Sequence, residues 1–131
     1  GEQGAGRMSE PELITSEIIS WLQPKLLQDR NVVVTAGPTY EAIDAVRGIT
    51  NASSGKMGYA VAQAASDAGA NVTLISGKTS LTPPSQARFI SIISAKDMLD
   101  AVLNEVDHAD IFISVAAVAD FSVRNPSEHK I

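Results

Sequence analysis

The segment NVVVTAGPTYEAIDAVRGITNASSGKMGYAVAQAASDAGANVTLIS (31–76) decides the fold. It opens with NVVVTAG (31–37), a β-branched run halted by Gly and Pro, the pattern of a buried strand. It closes with NVTLIS (71–76), a second run of the same kind. Between them the spacing predicts a mixed loop over 38–51 and a helix over 54–68. Met57, Ala60, Val61, Ala64, Ala65 and Ala68 form a narrow apolar face on that helix. Small side chains suit close approach to a sheet, and Gly69 is placed to terminate the helix. Continuously apolar strands joined by an amphipathic helix predict parallel pairing.

Outward from this unit the pattern repeats. TSLTPPSQ (79–86) is a turn-rich loop whose prolines belong to no central strand. ARFISII (87–93) reads as a third strand. Ser94 and Asp97 have cap spacing for a helix running to about Val106, with Met98, Val102 and Val106 inward. ADIFISVAAVAD (109–120) begins as a buried strand and runs into an alanine-rich turn. Upstream, SEPELITSEIISWL (9–22) reads as a helix with Ser9 and Glu12 at capping-box spacing and Pro11 in the first turn. Its Ile14, Ile18, Trp21 and Leu22 share a face; Pro24 should end it, and Leu26 and Leu27 should pack. Trp21, Met57, Phe89 and Phe112 read as packing residues. The fold expected is α/β, a Rossmann-like three-layer α/β/α arrangement with a mainly parallel sheet. The chain stops just past the fourth strand, so the natural domain is expected to be longer, the sequence being truncated at its C-terminus.

Composition narrows the function. At 131 residues the chain suffices for one domain, and 44% hydrophobic content with a mean hydropathy of +0.06 argues against disorder. Ten Lys+Arg against fifteen Asp+Glu give a net charge of −5, which disfavours a broad nucleic-acid surface but allows a small positive pocket. No apolar run approaches membrane-spanning length and no secretory signal is evident, so no membrane partner and a cytoplasmic location are expected. With no cysteine there is no disulfide, thiolate nucleophile or Cys-ligated zinc. His108 and His129 are too few and too far apart for a metal motif. The opening GEQGAGR, taken alone, reads as a flexible linker or a cloning remnant.

Ligands of an open parallel sheet collect beyond the carboxyl ends of its strands. In NASSGKMG (51–58), Ser53 or Ser54 can cap the helix, while Gly55 and Gly58 let an anion approach exposed N–H groups, with Lys56 adding charge. A plain helix cap, with Gly58 permitting helix–strand contact, explains the same residues equally well. The Walker A spacing is absent, and AGPT (36–39) precedes a loop too long for the dinucleotide fingerprint. After the second strand, LISGKT has no acid for ribose hydroxyls. Lys78 is either a solvated loop lysine or a partner for a 2′-phosphate, which weakens an NADP-binding reductase without excluding it. In AAVAD (116–120), small alanines would let a flat base or sugar lie against the backbone, and Asp120 is a turn former or a ligand for ribose or a phosphate-bound cation. Asn51 is either a turn residue or a donor to a carbonyl or oxyanion. Lys130, alone, reads as a surface lysine.

Two stretches together, TAGPTYEAIDAVRGITNASSGKMG (35–58) and VAAVADFSVRNPSEHKI (115–131), resemble the phosphopantothenoylcysteine synthetase domain of bacterial bifunctional coenzyme A biosynthesis flavoproteins. The linked features are AGPT, EAIDAVR, NASSGKMG, AAVAD and a closing Lys-Ile pair. The resemblance implies a ligase of 4′-phosphopantothenate and L-cysteine that uses CTP and Mg²⁺ and passes through an acyl-cytidylate. It implies that Asn51 holds that intermediate and that Lys130 serves its formation. It also implies that Ser53, Ser54 and Gly55 contact the triphosphate, that Gly37 of AGPT is one of the nucleotide-binding residues, that Ala116 and Ala117 lie beside nucleotide and acyl group, and that Asp120 binds nucleotide or, as a Mg²⁺ ligand, cation. Arg47 is left between substrate binding and a subunit interface. The same resemblance makes residues 1–11 the tail of an upstream flavin-dependent decarboxylase domain, residues 12–30 a linker helix and residues 31–131 the N-terminal part of the ligase domain. FMN would belong to that upstream domain alone. A homodimer through this domain is implied, with higher assembly in the bifunctional protein. A non-catalytic nucleotide-binding or assembly module is the remaining alternative.

Overall fold

The structure is a computed structural model describing residue 6 and residues 8–131. Its elements are α1 (Pro11–Leu22), β1 (Asn31–Ala36), β2 (Tyr40–Ala42), β3 (Gly48–Thr50), α2 (Lys56–Asp67), β4 (Asn71–Ser76), β5 (Arg88–Ser91), α3 (Ala95–Val106) and β6 (Ile111–Ser114). Four strands form one parallel sheet in the order β5-β4-β1-β6. The chain moves outward from β1 through β4 to β5, then crosses back over α3 to lay β6 on the other side of β1. This is the Rossmann-like α/β/α arrangement, and its reversal of direction falls between β1 and β6.

Alternation along the central strand builds the layers. Val32, Val34 and Ala36 meet Tyr59, Ala62 and Ala65 of α2, with Val72 and Leu74 of β4 beside them. Val33 meets Ile75, Ile92 and Met98 on the α3 side. With both faces of β1 covered, its continuous apolar run is the expected composition.

Several expectations are corrected. The buried face of α2 is Gly58, Tyr59, Ala62, Ala65 and Ser66, while Met57 is 70% exposed. The cause is Gly58, where a Cβ would come within 2.5 Å of the Ala36 Cβ. The helix turns its glycine to the sheet, which a search for apolar side chains does not register. Loop 38–51 is not a mere loop: it folds as the antiparallel β2–β3 hairpin, pairing Tyr40 with Thr50 and Ala42 with Gly48. Helix α1 starts at Glu10 with no side-chain cap, so Ser9 and Glu12 form no capping box, and it buries no residue. Trp21 is 78% exposed, and Phe89 and Phe112, on the two edge strands, are also exposed. Leu27 packs on the core but Leu26 does not. No described helix is long and apolar enough to cross a membrane. The boundary expected at residue 11 falls where residues 1–5 and 7 lie outside the described part.

Candidate functional site

At the switch point the loops after β1 and β6 are sewn together. The Thr35 hydroxyl accepts the amides of Val115 at 3.3 Å and Ala116 at 3.4 Å. Ala117 N donates to Gly37 O at 2.9 Å, Thr39 N donates to Ala117 O at 3.2 Å, and Ala119 N donates to the Thr39 hydroxyl at 3.0 Å. Asn51 closes the group: its Nδ2 donates to the carbonyls of Ala117 and Val118, both at 3.1 Å. Both protons of that amide are engaged, which leaves Oδ1 as the outward-acting atom. Gly37, Asn51, Ala116 and Ala117 are therefore brought together from segments up to 80 residues apart.

Ser53 and Ser54 do not cap α2 as expected. Gly55 is the N-cap, with φ +74°, and makes no side-chain cap bond. The serine hydroxyls instead accept from Gly55 N at 3.3 Å and Lys56 N at 3.5 Å, both long. Among the described residues, the amides of Met57 and Gly58 have no acceptor. These groups line a cavity of about 120 Å³ together with Val115. An uncapped helix start with vacant amides has the electrostatics of an anion site.

The glycines here also answer to packing. Gly37 has φ +68°, and a Cβ there would reach 2.9 Å from Ser76 Oγ and 3.0 Å from Thr79 Cγ2. At Gly55 a Cβ would come 2.7 Å from the same Thr79 methyl, whose hydroxyl donates to Tyr59 OH at 3.1 Å. Thr79 thus holds the loops after β1 and β4 and the start of α2 in one packed unit, a role with no signal in sequence spacing.

Beside this unit lies a larger, mostly apolar cavity of about 460 Å³, lined by Pro38, Tyr40, Thr50, Asn51, Lys78, Ile92 and Ile93. Asn51 is on its wall. Lys78 is an exposed lysine on its rim, and no hydrogen bond or ion pair engages it among the described residues.

Asp120 and Lys130 are not brought into either cavity; both are exposed on the chain that leaves β6. That chain turns back to the hairpin: Ser127 N donates to Ile43 O at 3.0 Å, and Ile131 N to Asp44 Oδ2 at 3.2 Å. Arg47 donates from Nε and a terminal nitrogen to Asp44 Oδ2, at 2.9 and 2.5 Å, and reaches Ile131 O at 3.0 Å. The Arg47 guanidinium, with the amides of Val46, Arg47 and Ile131, holds the buried Asp44 carboxyl well below the usual carboxylate range. Arg47 is thereby committed to shaping the hairpin turn. No group of three or more His, Asp or Glu suited to a metal ion occurs among the described residues, so Asp120 has no companion carboxylate cluster. An exposed single carboxylate fits Mg²⁺ only as that ion is commonly held, by one or two carboxylates together with substrate phosphates.

Most of the chain is similar to known proteins. Residues 27–131 match the family described as DNA/pantothenate metabolism flavoprotein C-terminal domain. The Coenzyme A biosynthesis bifunctional protein CoaBC of Vibrio vulnificus (strain YJ016) is 53% identical over 131 residues, all of this chain and 33% of that protein. Its namesakes from Bacillus subtilis (strain 168) and Escherichia coli (strain K12) are 49% and 43% identical, again over the whole chain and about a third of theirs. The chain thus spans a third of the length of the curated relatives it matches. A crystal structure of the C-terminal domain of CoaBC superposes with a TM-score of 0.75 at 44% identity, covering 82% of this chain and 57% of that one. The DNA/pantothenate metabolism flavoprotein from Streptococcus pneumoniae gives 0.67 at 35% identity, covering 71% and 42%.

Proposed function

The chain belongs to the DNA/pantothenate metabolism flavoprotein C-terminal domain family, and on that premise we propose that it carries part of a phosphopantothenate–cysteine ligase site that uses CTP. The carboxylate of 4′-phosphopantothenate attacks the α-phosphate of CTP. A P–O bond forms to the acyl oxygen, the α–β anhydride bond breaks, and pyrophosphate leaves with the electron pair. The amine of L-cysteine then attacks the acyl carbon, loses a proton, and expels CMP. A free carboxylate is a poor acyl donor, and the mixed anhydride supplies the leaving group.

The observation that carries this reading is Asn51. Its Nδ2 is held on the carbonyls of Ala117 and Val118, Oδ1 makes no hydrogen bond among the described residues, and the residue lines the larger cavity a few positions before an uncapped helix start. In the proposed reaction the vacant amides of Met57 and Gly58, with Ser53, Ser54 and Gly55, hold the triphosphate. Gly37, Ala116 and Ala117 form the backbone surface against which nucleotide and acyl group lie. Asn51 Oδ1 is placed to accept a proton of the attacking amine and orient it. Asp120 would help hold Mg²⁺ with the phosphates, and the ion would supply charge neutralisation on the triphosphate. Lys130 serves activation of the carboxylate. Partners proposed on the same premise are a second copy of this domain and a flavin domain elsewhere in the polypeptide. The location expected remains cytoplasmic.

The test is to incubate protein of the relatives' full length with CTP, Mg²⁺ and phosphopantothenate, with and without cysteine, and to measure pyrophosphate and product. Pyrophosphate release that requires phosphopantothenate supports the reading; none overturns it. Asn51→Ala should spare pyrophosphate release while amide formation falls by about 10²-fold. Lys130→Gln should slow pyrophosphate release itself. Saturable NADPH binding that CTP does not displace would favour a reductase instead.

A further inference from the structure

The hairpin that delivers Asn51 has strands of three residues each, too short to hold a fixed position by its own ladder. Its place is set by what it is tied to. On one side, Thr50 donates its hydroxyl proton to Thr39 O at 2.6 Å, and Asn51 binds the β6 loop. On the other, two bonds cross to the start of α3: Tyr40 N donates to Ile93 O at 2.7 Å, and Ala95 N donates to Glu41 Oε1 at 2.8 Å. Glu41 is only 7% exposed, and Ala95 is the first residue of the helix. A carboxylate buried without a cation partner needs such compensation, and a helix N-terminus supplies an amide and a favourable dipole. The capping box of Ser94 and Asp97 already serves two other amides there, so Glu41 is not required to cap α3. What Glu41 adds, beside the Tyr40 N bond to Ile93 O, is a side-chain tie from the hairpin to the first residue of that helix.

We propose that Glu41 is a positioning residue: by clamping β2 to the first turn of α3 it sets where β3 ends and so where Asn51 presents its amide. The inference rests on the ligase reading of the same site. Glu41 touches no reacting atom in this scheme; it acts through Asn51, one residue beyond the Tyr40–Thr50 pair.

The experiment compares Glu41→Ala, Glu41→Gln, Asn51→Ala and the double variant in protein of the relatives' full length, following pyrophosphate release and amide formation separately. Glu41→Ala should slow amide formation by about 10–100-fold, as misplacement of a reacting group by an ångström does, with pyrophosphate release within about threefold of the parent. Glu41→Gln, which keeps an oxygen on Ala95 N, should recover amide formation to within about threefold. The double variant should be no slower in amide formation than Asn51→Ala alone, because both changes remove one function. Equal slowing of both steps, or additive losses in the double variant, would overturn the positioning role and leave Glu41 as a stabilising residue. If Glu41→Ala does not fold, the step ratio in Glu41→Asp, whose shorter arm pulls the hairpin inward, decides: an unchanged ratio refutes the proposal. Failure of the ligase reading is separable, since the parent protein would then release no pyrophosphate at all.

Discussion

Helices α2 and α3 are each twelve residues long and cover opposite faces of one sheet, yet they begin in opposite ways. At α3 side chains serve most of the first turn, and among the described residues only the Lys96 amide there lacks an acceptor. Asp97 accepts from Ser94 N at 2.8 Å, Ser94 Oγ accepts from Asp97 N at 3.1 Å, and Glu41 accepts from Ala95 N. At α2 the cap is a glycine in left-handed conformation, the neighbouring serines make only long bonds, and two amides stay vacant. A helix start largely closed by its own capping box and by a neighbouring hairpin serves the fold. One left unfinished under the carboxyl ends of β1 and β6 keeps its donors for something that arrives later.

The strongest way to break this contrast is Gly55→Ala. Left-handed strain plus a Cβ pressed on Thr79 should cost about 2–4 kcal/mol in urea unfolding, with loss of CTP binding. Retained binding at parental affinity would mean that the α2 start is not the phosphate site. Ser94→Ala attacks the finished start, and should cost about 1 kcal/mol of stability while leaving CTP affinity unchanged in a calorimetric titration. Acid sharpens the same difference. The Ser94 amide and hydroxyl hold the Asp97 carboxyl below its ordinary value, as the Asn31 amide and Arg30 do for Asp110. With folded values depressed, their stabilisation is complete above the unfolded value of about 3.9 and is lost as pH falls through the folded ones. Stability followed by circular dichroism should therefore drop below about pH 4, and Asp97→Asn should flatten that drop. The smallest stability effect belongs to Ser54→Ala, within about 0.5 kcal/mol, yet it should weaken CTP binding by about tenfold. Unchanged affinity would remove Ser54 from the cradle.

Much of this was readable from residue pattern alone, for reasons that also mark its limits. NVTLIS (71–76) forms its strand over the predicted residues because an apolar run buried on both faces has no other use. The Ser94–Asp97 box forms because both partners are local. The inward face of α2 was misread because Gly58 contributes by lacking a side chain and Tyr59 by its ring, hydroxyl outward to Thr79. The hairpin was missed because three-residue strands leave too little alternation to detect. Helix α1 has an apolar periodicity that predicts burial, yet it lies against α2 through the Ser20–Asp67 bond with none of its residues buried. At the site, Asn51 could be singled out by residue type and motif, but its partners at Ala117 and Val118 are about 66 residues away and follow only from sheet order. Asp120 could be singled out as an acid after a strand and Lys130 only by resemblance, and the fold leaves both outside the two cavities.

The sheet order also has a consequence for synthesis on the ribosome. Strand β1 can take β4 as a neighbour once residue 76 has emerged, but its other edge waits for residues 111–114. Through that interval Val32 to Thr35 present unpaired backbone along one side, and Ile111 to Ser114 are the residues that close it. A nascent chain delayed there offers an open parallel edge to its neighbours, so a pause before residue 111 is where misassembly between chains on one messenger would begin.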